Sequence, residues 1–544
     1  MFRLTFLSFI LLVSTNSFSQ KSFESKWKEL PNMTWTGEEL WANRLQDWSI
    51  NDGKLECIIS GKNRSVSLLT HEISDDSKGF EMKANFTIQN FKVDGLVGFR
   101  LASKGPNEDY RSAAVYGKGI NIGLSNKGEL IIHDQKSLPL ISKEKMQNGL
   151  TIKITSSSLG TDQLGLTLAI LDKEENQLME VRRAFPIGFL NGNVAVLSDF
   201  KTKDQQDFEK SVSIANWSLS GNGVTEDLNR VYGPIYFVKY TLCDGSLKIA
   251  AQCAPTDQLN DKAELWLKQL DGWQKVEESP VESLSRTALF RIENWNNPNK
   301  VEYMVVYQLN DKRSYSYKGT IRPEPQTDEK IKLGLFSCNQ DHGFPDVDLR
   351  KNILEHKIDA ALFLGDQFYE GFGGFGVEKT NLERSTLDYL RKWYMFGWSY
   401  RDVFRDVPMI SIPDDHDMYH GNIWGEGGIA TPSGLTGYQE QDAGGYKMPA
   451  EWVKMVQDTQ TGHLPDPYDP TPVKQNIPVY YTSWNWGPMS FAILEDRKFK
   501  SAPQNIFPAE AGIANGFITN KDFVLGEYNN PQTDSYTGNV KKSF

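Results

Sequence analysis

The sequence is poor in three features, and each shortage excludes a class of protein. It has only four cysteines in 544 residues, Cys57, Cys243, Cys253 and Cys338, too scattered for a disulfide-stabilised domain. The net charge is -11 with no long run of one sign, which excludes the basic stripe of a nucleic-acid-binding protein. No segment approaches the about 18 consecutive apolar residues that a membrane-spanning helix needs. We therefore expect no nucleic-acid-binding surface and no membrane span.

The first twenty residues have the layout of a secretory signal peptide. Arg3 precedes an apolar core at residues 4–13, and small residues follow at 17–19. The core is too short to anchor the chain in a bilayer, and no cysteine follows it for lipid attachment. We predict that residues 1–20 are a signal peptide and that the protein is exported, to the periplasm or out of the cell.

Residues 21–221 contain many short alternating apolar runs, separated by Gly and Asn, which is typical of a two-sheet sandwich. The segments WSINDGKLEC, VGFRLAS and NKGELII resemble the concanavalin-A-like (laminin-G-like) sandwiches attached to many exported enzymes. Such a module is either a structural spacer or a glycan binder that uses exposed Trp35, Trp41 or Trp48. We favour the spacer, because aromatic residues in a sandwich are more often core.

A small, Gly-rich stretch at 218–223 predicts a linker. Residues 230–325 then contain six or seven short predicted strands, a count that fits an immunoglobulin-like or fibronectin-like sandwich. A two-residue hairpin turn at 244–245 sets Cys243 opposite Ser246 and Cys253 opposite Tyr236, which disfavours a disulfide between the two cysteines. The module ends at the Pro-rich residues 322–325 and has no polar constellation of its own.

In the third region, residues 331–544, three apolar runs each end in side chains that can bind a metal. The first run, 332–337, precedes Cys338. The second, 359–364, precedes Asp366, Tyr369 and Glu370. The third, 409–412, precedes Asp414, Asp415, His416 and Asp417. Residues 347–357 have apolar positions at helical spacing, which predicts strand, helix and parallel strand. Since the carboxyl ends of parallel strands meet at one edge of a sheet, we expect these side chains to converge on a metal ion.

The elements SCNQ, GDQFYE and PDDHD, in this order and followed by LEDRKFK, resemble the alkaline phosphatase D (PhoD-like) branch of the calcineurin-type metallophosphoesterases. The resemblance extends from residue 236 onward and is strongest over 332–500. It implies that Cys338, Asp366 and Tyr369 bind a ferric ion. It further implies that a second ion such as calcium shares Asp366 and uses Asp415.

The same resemblance implies the catalytic roles. His416 faces the phosphate and stabilises or protonates the leaving oxygen, as suits a group with a pKa near neutrality. Arg497 follows the apolar run 489–494, where its guanidinium either clamps phosphate oxygens or pairs with Asp496 or Glu495. The implied activity is metal-dependent hydrolysis of phosphomonoesters or phosphodiesters.

The sequence thus predicts a multidomain fold, in which two all-β sandwiches precede an α/β metallophosphoesterase domain, a β-sheet sandwich flanked by helices. Residues 381–405 are predicted to be helical, and the Gly-rich residues 420–446 predict a lid whose His420, Trp424 and Tyr438 are candidate substrate contacts.

The family pattern has further histidine ligands downstream, but none follows Arg497 here. We therefore expect the third domain to be incomplete at its C-terminus, through truncation or else through degeneration of the site. The alternative function is an exported glycan- or surface-polymer-binding protein with an inactive phosphatase domain.

Overall fold

The computed structural model describes residues 21–104, 117–202, 209–259, 261–327, 330–339, 345–371 and 375–524. The predicted signal peptide lies outside these residues. Within the described ranges, no helix is long and apolar enough to cross a membrane. Most of the ordered structure is β-sheet arranged as sandwiches, with few helices.

The first sandwich consists of two eight-stranded sheets. Its strands are β1 (Ser22–Glu24), β2 (Leu40–Ala42), β3 (Trp48–Asn51), β4 (Lys54–Cys57), β5 (Arg64–Ile73), β6 (Glu81–Ile88), β7 (Gly95–Ser103), β8 (Ile120–Ser125), β9 (Leu130–Ile132), β10 (Gln135–Lys136), β11 (Leu150–Ser158), β12 (Gln163–Leu171), β13 (Gln177–Pro186), β14 (Gly192–Phe200), β15 (Val212–Ser220) and β16 (Val224–Glu226), with the short helix α1 (Lys143–Asn148). In the described residues, one sheet has the order β13-β12-β11-β6-β15-β4-β3, with β1 as its eighth strand paired to β15. The other has the order β10-β9-β8-β7-β14-β5-β16, with β2 as its eighth strand paired to β5.

The predicted linker at 218–223 is wrong. β15 continues to Ser220, and β16 then pairs antiparallel with β5, Val224 opposite Ile73. The Gly-rich residues between them form a tight return to the opposite sheet, because Gly221 has a positive φ of 146°. The first sandwich therefore extends at least to Glu226, beyond the predicted boundary at residue 221.

Trp35, Trp41 and Trp48 are buried, as the favoured spacer interpretation predicts, so these three side chains are not available as glycan contacts. Trp35, Trp41 and Trp48 are 1%, 2% and 0% exposed. Trp35 lies where the two sandwiches meet, since its Nε1 donates to the Tyr232 carbonyl at 3.1 Å and its ring packs edge-on against Tyr315. Burial of these large apolar rings stabilises the core and the junction between the sandwiches.

The second sandwich packs a three-stranded sheet, β17-β18-β21, against a four-stranded sheet, β20-β19-β22-β23. Its strands are β17 (Ile235–Cys243), β18 (Ser246–Cys253), β19 (Lys262–Gln269), β20 (Gly272–Pro280), β21 (Thr287–Ile292), β22 (Val301–Asn310) and β23 (Arg313–Ile321). Cys243 is opposite Ser246 as expected, but a bulge between residues 235 and 237 sets Cys253 opposite Ile235 rather than Tyr236. All four cysteines are free thiols.

The third region contains a parallel sheet of order β24-β25-β26 with helices beside it. Its elements are β24 (Leu333–Phe336), α2 (Val347–His356), β25 (Ala360–Phe363), α3 (Leu382–Phe404), β26 (Met409–Ser411), α4 (Tyr438–Asp442), α5 (Ala450–Thr461), β27 (Thr482–Trp486), β28 (Met489–Ile493), α6 (Asp496–Phe499), α7 (Pro503–Ile506), β29 (Ile513–Ala514) and β30 (Phe517–Ile518). α2 buries only Ile353 of its predicted apolar face, while Leu349 and Leu354 are 44% and 45% exposed.

α3 is the central helix of the molecule. It begins after Asn381, whose side chain accepts the Arg384 N–H at 2.9 Å, and this N-cap confirms the predicted helix. Its rings contact two domains: Tyr394 stacks on Tyr236 of the second sandwich, and Phe396 packs edge-on against Phe363 of β25. α3 therefore fixes the parallel sheet relative to the second sandwich.

Candidate metal centre

The site lies at the carboxyl ends of the three parallel strands, where two consecutive turns are hydrogen-bonded to each other. Cys338, after β24, and Asp366, after β25, both adopt left-handed backbone conformations. The Cys338 N–H donates to the Gly365 carbonyl at 3.2 Å, and the Asn339 N–H donates to the Asp366 carbonyl at 2.8 Å. These bonds continue the pairing of β24 and β25 past the ends of the strands and bring Cys338 beside Asp366.

Gly365 lets the loop that follows β26 approach the loop that follows β25. A Cβ added there would lie 2.3 Å from the Asp414 Cβ, so a larger residue would push the two loops apart. The backbone at Gly365 also has φ 102°, which favours glycine. The glycine of the GDQFYE motif thus has a steric role.

Asp417, the last residue of PDDHD, joins the two loops. It is fully buried, and its carboxylate accepts the N–H groups of Asp366 at 2.7 Å, Gln367 at 3.1 Å and Asp414 at 2.9 Å. Burial raises the pKa of Asp417, and the backbone N–H donors oppose that rise. In the sequence analysis, Asp417 is grouped with the side chains expected to converge on a metal ion, whereas the structure uses its carboxylate to accept backbone N–H groups.

Three side chains at these ends form a compact donor group. Ligand atoms of Asp366, Asp415 and His416 all lie within 4.8 Å of one another, with Asp366 5% and Asp415 6% exposed. The Cys338 thiol donates to Asp366 Oδ2 at 3.8 Å, and the Tyr369 ring centroid lies 4.5 Å from that of His416. The structure thus brings together Cys338, Asp366, Tyr369, Asp415 and His416.

The electrostatics of this group fit a cation. Burial raises the pKa of Asp366, and the Asp414 carboxylate adds to the rise while His416 opposes it. Burial likewise raises the pKa of Asp415, with Arg497 opposing and Asp366 adding. Buried carboxylates crowded together disfavour their own charge unless a positive partner is present. Together with a thiol and a phenol, they make a donor set suited to a hard or borderline metal ion.

His416 is oriented by Glu370. Its Nδ1 lies 2.5 Å from Glu370 Oε2, and its Nε2 has no hydrogen bond to any residue that the structure describes. Burial disfavours the imidazolium, but the hydrogen bond and charge of Glu370, with Asp366 and Asp415, outweigh it and raise the pKa of His416 to about 9. His416 is therefore protonated at neutral pH and can act as a proton donor.

Arg497 pairs with a residue that the sequence analysis did not consider. Its Nε and Nη2 contact Asp414 Oδ1 at 2.5 Å and Oδ2 at 3.0 Å, and Nη2 lies 3.9 Å from Asp415 Oδ1. The expected alternative partners, Asp496 and Glu495, do not take this place: Glu495 instead pairs with Lys498 and accepts the Tyr480 N–H. Arg497 thus binds the acidic loop directly.

The predicted lid is packed in part. His420 and Trp424 are 2% and 6% exposed, and the Gly425 N–H donates to the Arg497 carbonyl at 3.0 Å. Burial leaves these two side chains no open surface, so the prediction that they contact substrate is wrong. Tyr438, at 64% exposure, is the remaining candidate of the three.

No family model matches the chain, and no curated protein matches it either. Among solved structures, purple acid phosphatase PPD1 from yellow lupin (Lupinus luteus) seeds is similar over 88% of this chain and 66% of its own length, with 10% identity and a TM-score of 0.33. Alginate lyase Aly36B covers 36% of this chain and 96% of its own, at 11% identity and a TM-score of 0.25. Lectin II from Ulex europaeus covers 37% and 98%, at 14% identity and a TM-score of 0.26.

These neighbours include a metallophosphoesterase and lectin-like sandwiches, but at such TM-scores they carry no argument about activity. The resemblance to the alkaline phosphatase D branch stays a prediction.

Proposed function

We propose that this chain is an exported, metal-dependent phosphoester hydrolase of the alkaline phosphatase D type. The observation that carries the proposal is the cluster of buried Asp366, buried Asp415 and half-buried His416 at the ends of neighbouring parallel strands, with His416 held by Glu370. Exposed aromatic residues in the first sandwich would support the glycan-binding alternative, but the three candidates Trp35, Trp41 and Trp48 are core residues.

The donor set divides between two ions. Cys338, Asp366 and Tyr369 would hold a ferric ion, because a thiolate and a phenolate together favour it. Asp366 and Asp415 would hold a second, oxygen-preferring ion such as calcium. When bound, the metals polarise a phosphoryl oxygen and activate the attacking water.

The chain's own residues complete the chemistry. His416 donates its Nε2 proton to the leaving oxygen as the ester bond breaks, while Glu370 keeps Nδ1 protonated and fixes the ring. Arg497 holds the acidic loop through Nε and Nη2, which leaves its Nη1 to bind a phosphate oxygen. The substrate class is phosphomonoesters and phosphodiesters.

The test compares the purified chain with Asp366→Asn and Asp415→Asn, by elemental analysis and by hydrolysis of p-nitrophenyl phosphate and bis(p-nitrophenyl) phosphate. We expect bound metal and activity in the parent chain, and loss of at least one metal ion with roughly 100-fold lower kcat in each variant. Asp466→Asn is the control, because Asp466 is an exposed carboxylate of the same region that pairs with Lys248 and Arg291. A parent chain that binds no metal and hydrolyses neither ester would reject the proposal.

A further inference from the structure

Lys392 is a fully buried lysine of α3 whose ammonium group hydrogen-bonds both loops of the site, residues 366–370 and residues 415–419. Its Nζ donates to the Glu370 carbonyl at 2.9 Å and to the Tyr419 hydroxyl at 2.8 Å. Glu370 ends the loop that begins at Asp366. Tyr419 follows the short 3-10 helix His416–Met418, and its N–H donates to the His416 carbonyl at 3.1 Å. One ammonium group thus holds both sides of the Glu370–His416 contact.

The Lys392 charge is balanced by Asp388, one helical turn earlier and also fully buried. Asp388 Oδ2 accepts from Lys392 Nζ at 2.8 Å and from the Tyr419 hydroxyl at 3.0 Å, while Oδ1 accepts from Arg391 Nε at 2.9 Å. A buried ion pair keeps its charges only when further hydrogen bonds satisfy them. These bonds therefore fix the geometry of the pair as well as its charge.

The first sandwich supplies a further hydrogen bond to this group. Gln46 Nε2 donates to Asp388 Oδ1 at 3.1 Å, and Gln46 is 2% exposed. Its neighbour Asp47 binds Arg384 of α3 at 2.6 Å, and Arg384 Nη1 donates to the Gln46 carbonyl at 2.7 Å. A spacer domain would meet the site domain through exposed polar contacts, whereas here a sandwich residue reaches into the buried shell behind the site.

We propose that Lys392 and Asp388 are positioning residues for His416, and that the first sandwich acts through Gln46 as a structural part of the hydrolytic unit. The inference rests on the proposed function and specifies how its proton donor is held. Lys392 acts through Glu370 and Tyr419. Among the described residues it makes no hydrogen bond to the proposed metal ligands, so its loss should misplace His416 without removing metal.

The experiment uses the full chain with Lys392→Met, the charge-neutral double variant Asp388→Asn/Lys392→Met, and Gln46→Met. The double variant guards against misfolding, because it removes both charges of the Asp388–Lys392 pair while the asparagine oxygen can still accept from Arg391 and Gln46. Gln252→Met is the matched control. Gln252 is also a buried glutamine bonded to α3, accepting from Trp393 Nε1 at 2.8 Å beside Lys392, but it belongs to the second sandwich and bonds neither site loop.

Two readouts separate positioning from general stability. The first is amide hydrogen exchange over residues 366–370 and 415–419, which needs no activity. The second is kcat on bis(p-nitrophenyl) phosphate against diphenyl phosphate, whose poorer leaving group depends more on proton donation. We expect exchange protection of both loops to fall with Lys392→Met and, less, with Gln46→Met. We also expect kcat on diphenyl phosphate to fall roughly 10- to 100-fold with Lys392→Met, and less on the nitrophenyl ester, at unchanged KM and metal content.

Gln252→Met should change neither readout. The inference is overturned if Gln252→Met reproduces the effects of Gln46→Met, or if Lys392→Met leaves both loops protected. It is also overturned if the two esters lose kcat equally, because that outcome removes the link to His416. A parent chain that binds no metal and hydrolyses neither p-nitrophenyl phosphate nor bis(p-nitrophenyl) phosphate would instead reject the proposed function. The exchange comparison would still decide whether Lys392 and Gln46 hold the loops.

Discussion

Replacing Asp417 with asparagine tests whether one buried carboxylate holds the site loops together. In the parent chain, Oδ2 accepts two N–H groups, from Asp366 and Asp414, and Oδ1 accepts a third, from Gln367. An asparagine has one carbonyl oxygen and one NH2 group. In either orientation, at least one of the three buried N–H groups therefore faces another donor.

The loss of stability in Asp417→Asn follows from these contacts. The variant loses a hydrogen bond to a charged acceptor, worth about 1.5–3 kcal/mol, and leaves a buried N–H unsatisfied, which costs about 1–3 kcal/mol. Because the two terms overlap, we expect the free energy of unfolding of this region to fall by roughly 3 kcal/mol. The loops of Asp366 and Asp414 should separate, and metal content should fall with them.

The assay is hydrogen exchange of the β25 amides in increasing urea, on metal-free protein, with elemental analysis of the metal-loaded protein alongside. Asp172→Asn is the control, since Asp172 also accepts two backbone N–H groups, from Glu174 at 3.0 Å and Asn176 at 2.8 Å, but in an exposed turn. Asp172→Asn should lower the free energy of unfolding by less than about 1 kcal/mol, because water replaces the lost hydrogen bond. Equal losses in the two variants would refute the role of Asp417.

Two further predictions concern the core. Gly397→Ala should destabilise the contact of α3 with the second sandwich by about 1–3 kcal/mol, because the added Cβ would lie 1.9 Å from the Phe237 ring. Thermal unfolding measures this loss against the control Gly371→Ala, where the added Cβ meets nothing within 4 Å. The His463 Nε2–H donates to the Met409 carbonyl at 2.8 Å, and full burial lowers the pKa of His463 well below 6.5. The folded state then binds fewer protons than the unfolded state below about pH 6.5, so stability should fall by about 1.4 kcal/mol between pH 7.5 and 5.5. Urea unfolding of His463→Gln should lack that part of the loss, and an unchanged pH dependence would contradict it.

The convergence of the site residues was predictable because it depends on local pattern and one topological rule. Short apolar runs with a helix between them specify neighbouring parallel strands, and their carboxyl ends lie together by construction. The side-chain partners did not follow from that rule. Arg497 lies next to Asp496 in sequence but binds Asp414, which is 83 positions away.

The tryptophans of the first sandwich show a second limit of sequence patterns. Alternation specifies two faces of a strand, but it does not specify which face a neighbouring domain covers. Trp35 is buried by Tyr232 and Tyr315, residues from the second sandwich and the segment before it. The same reason explains the missed boundary at residue 221, since the pairing of β16 with β5 joins positions that are distant in sequence.

The charged residues of α3 show a third limit of sequence patterns. Asp388, Arg391 and Lys392 stand at i, i+3 and i+4, a spacing usual for ion pairs on a solvent-exposed helix face. Here the face is buried, because the first sandwich covers it and contributes Gln46 to the same network. Buried charge is costly to a helix that only packs between domains, and an apolar face would serve that purpose better. The charged network lies directly behind Glu370 and Tyr419 and hydrogen-bonds both. Its charges therefore serve to position the site, since directional hydrogen bonds fix two loops more narrowly than apolar packing does.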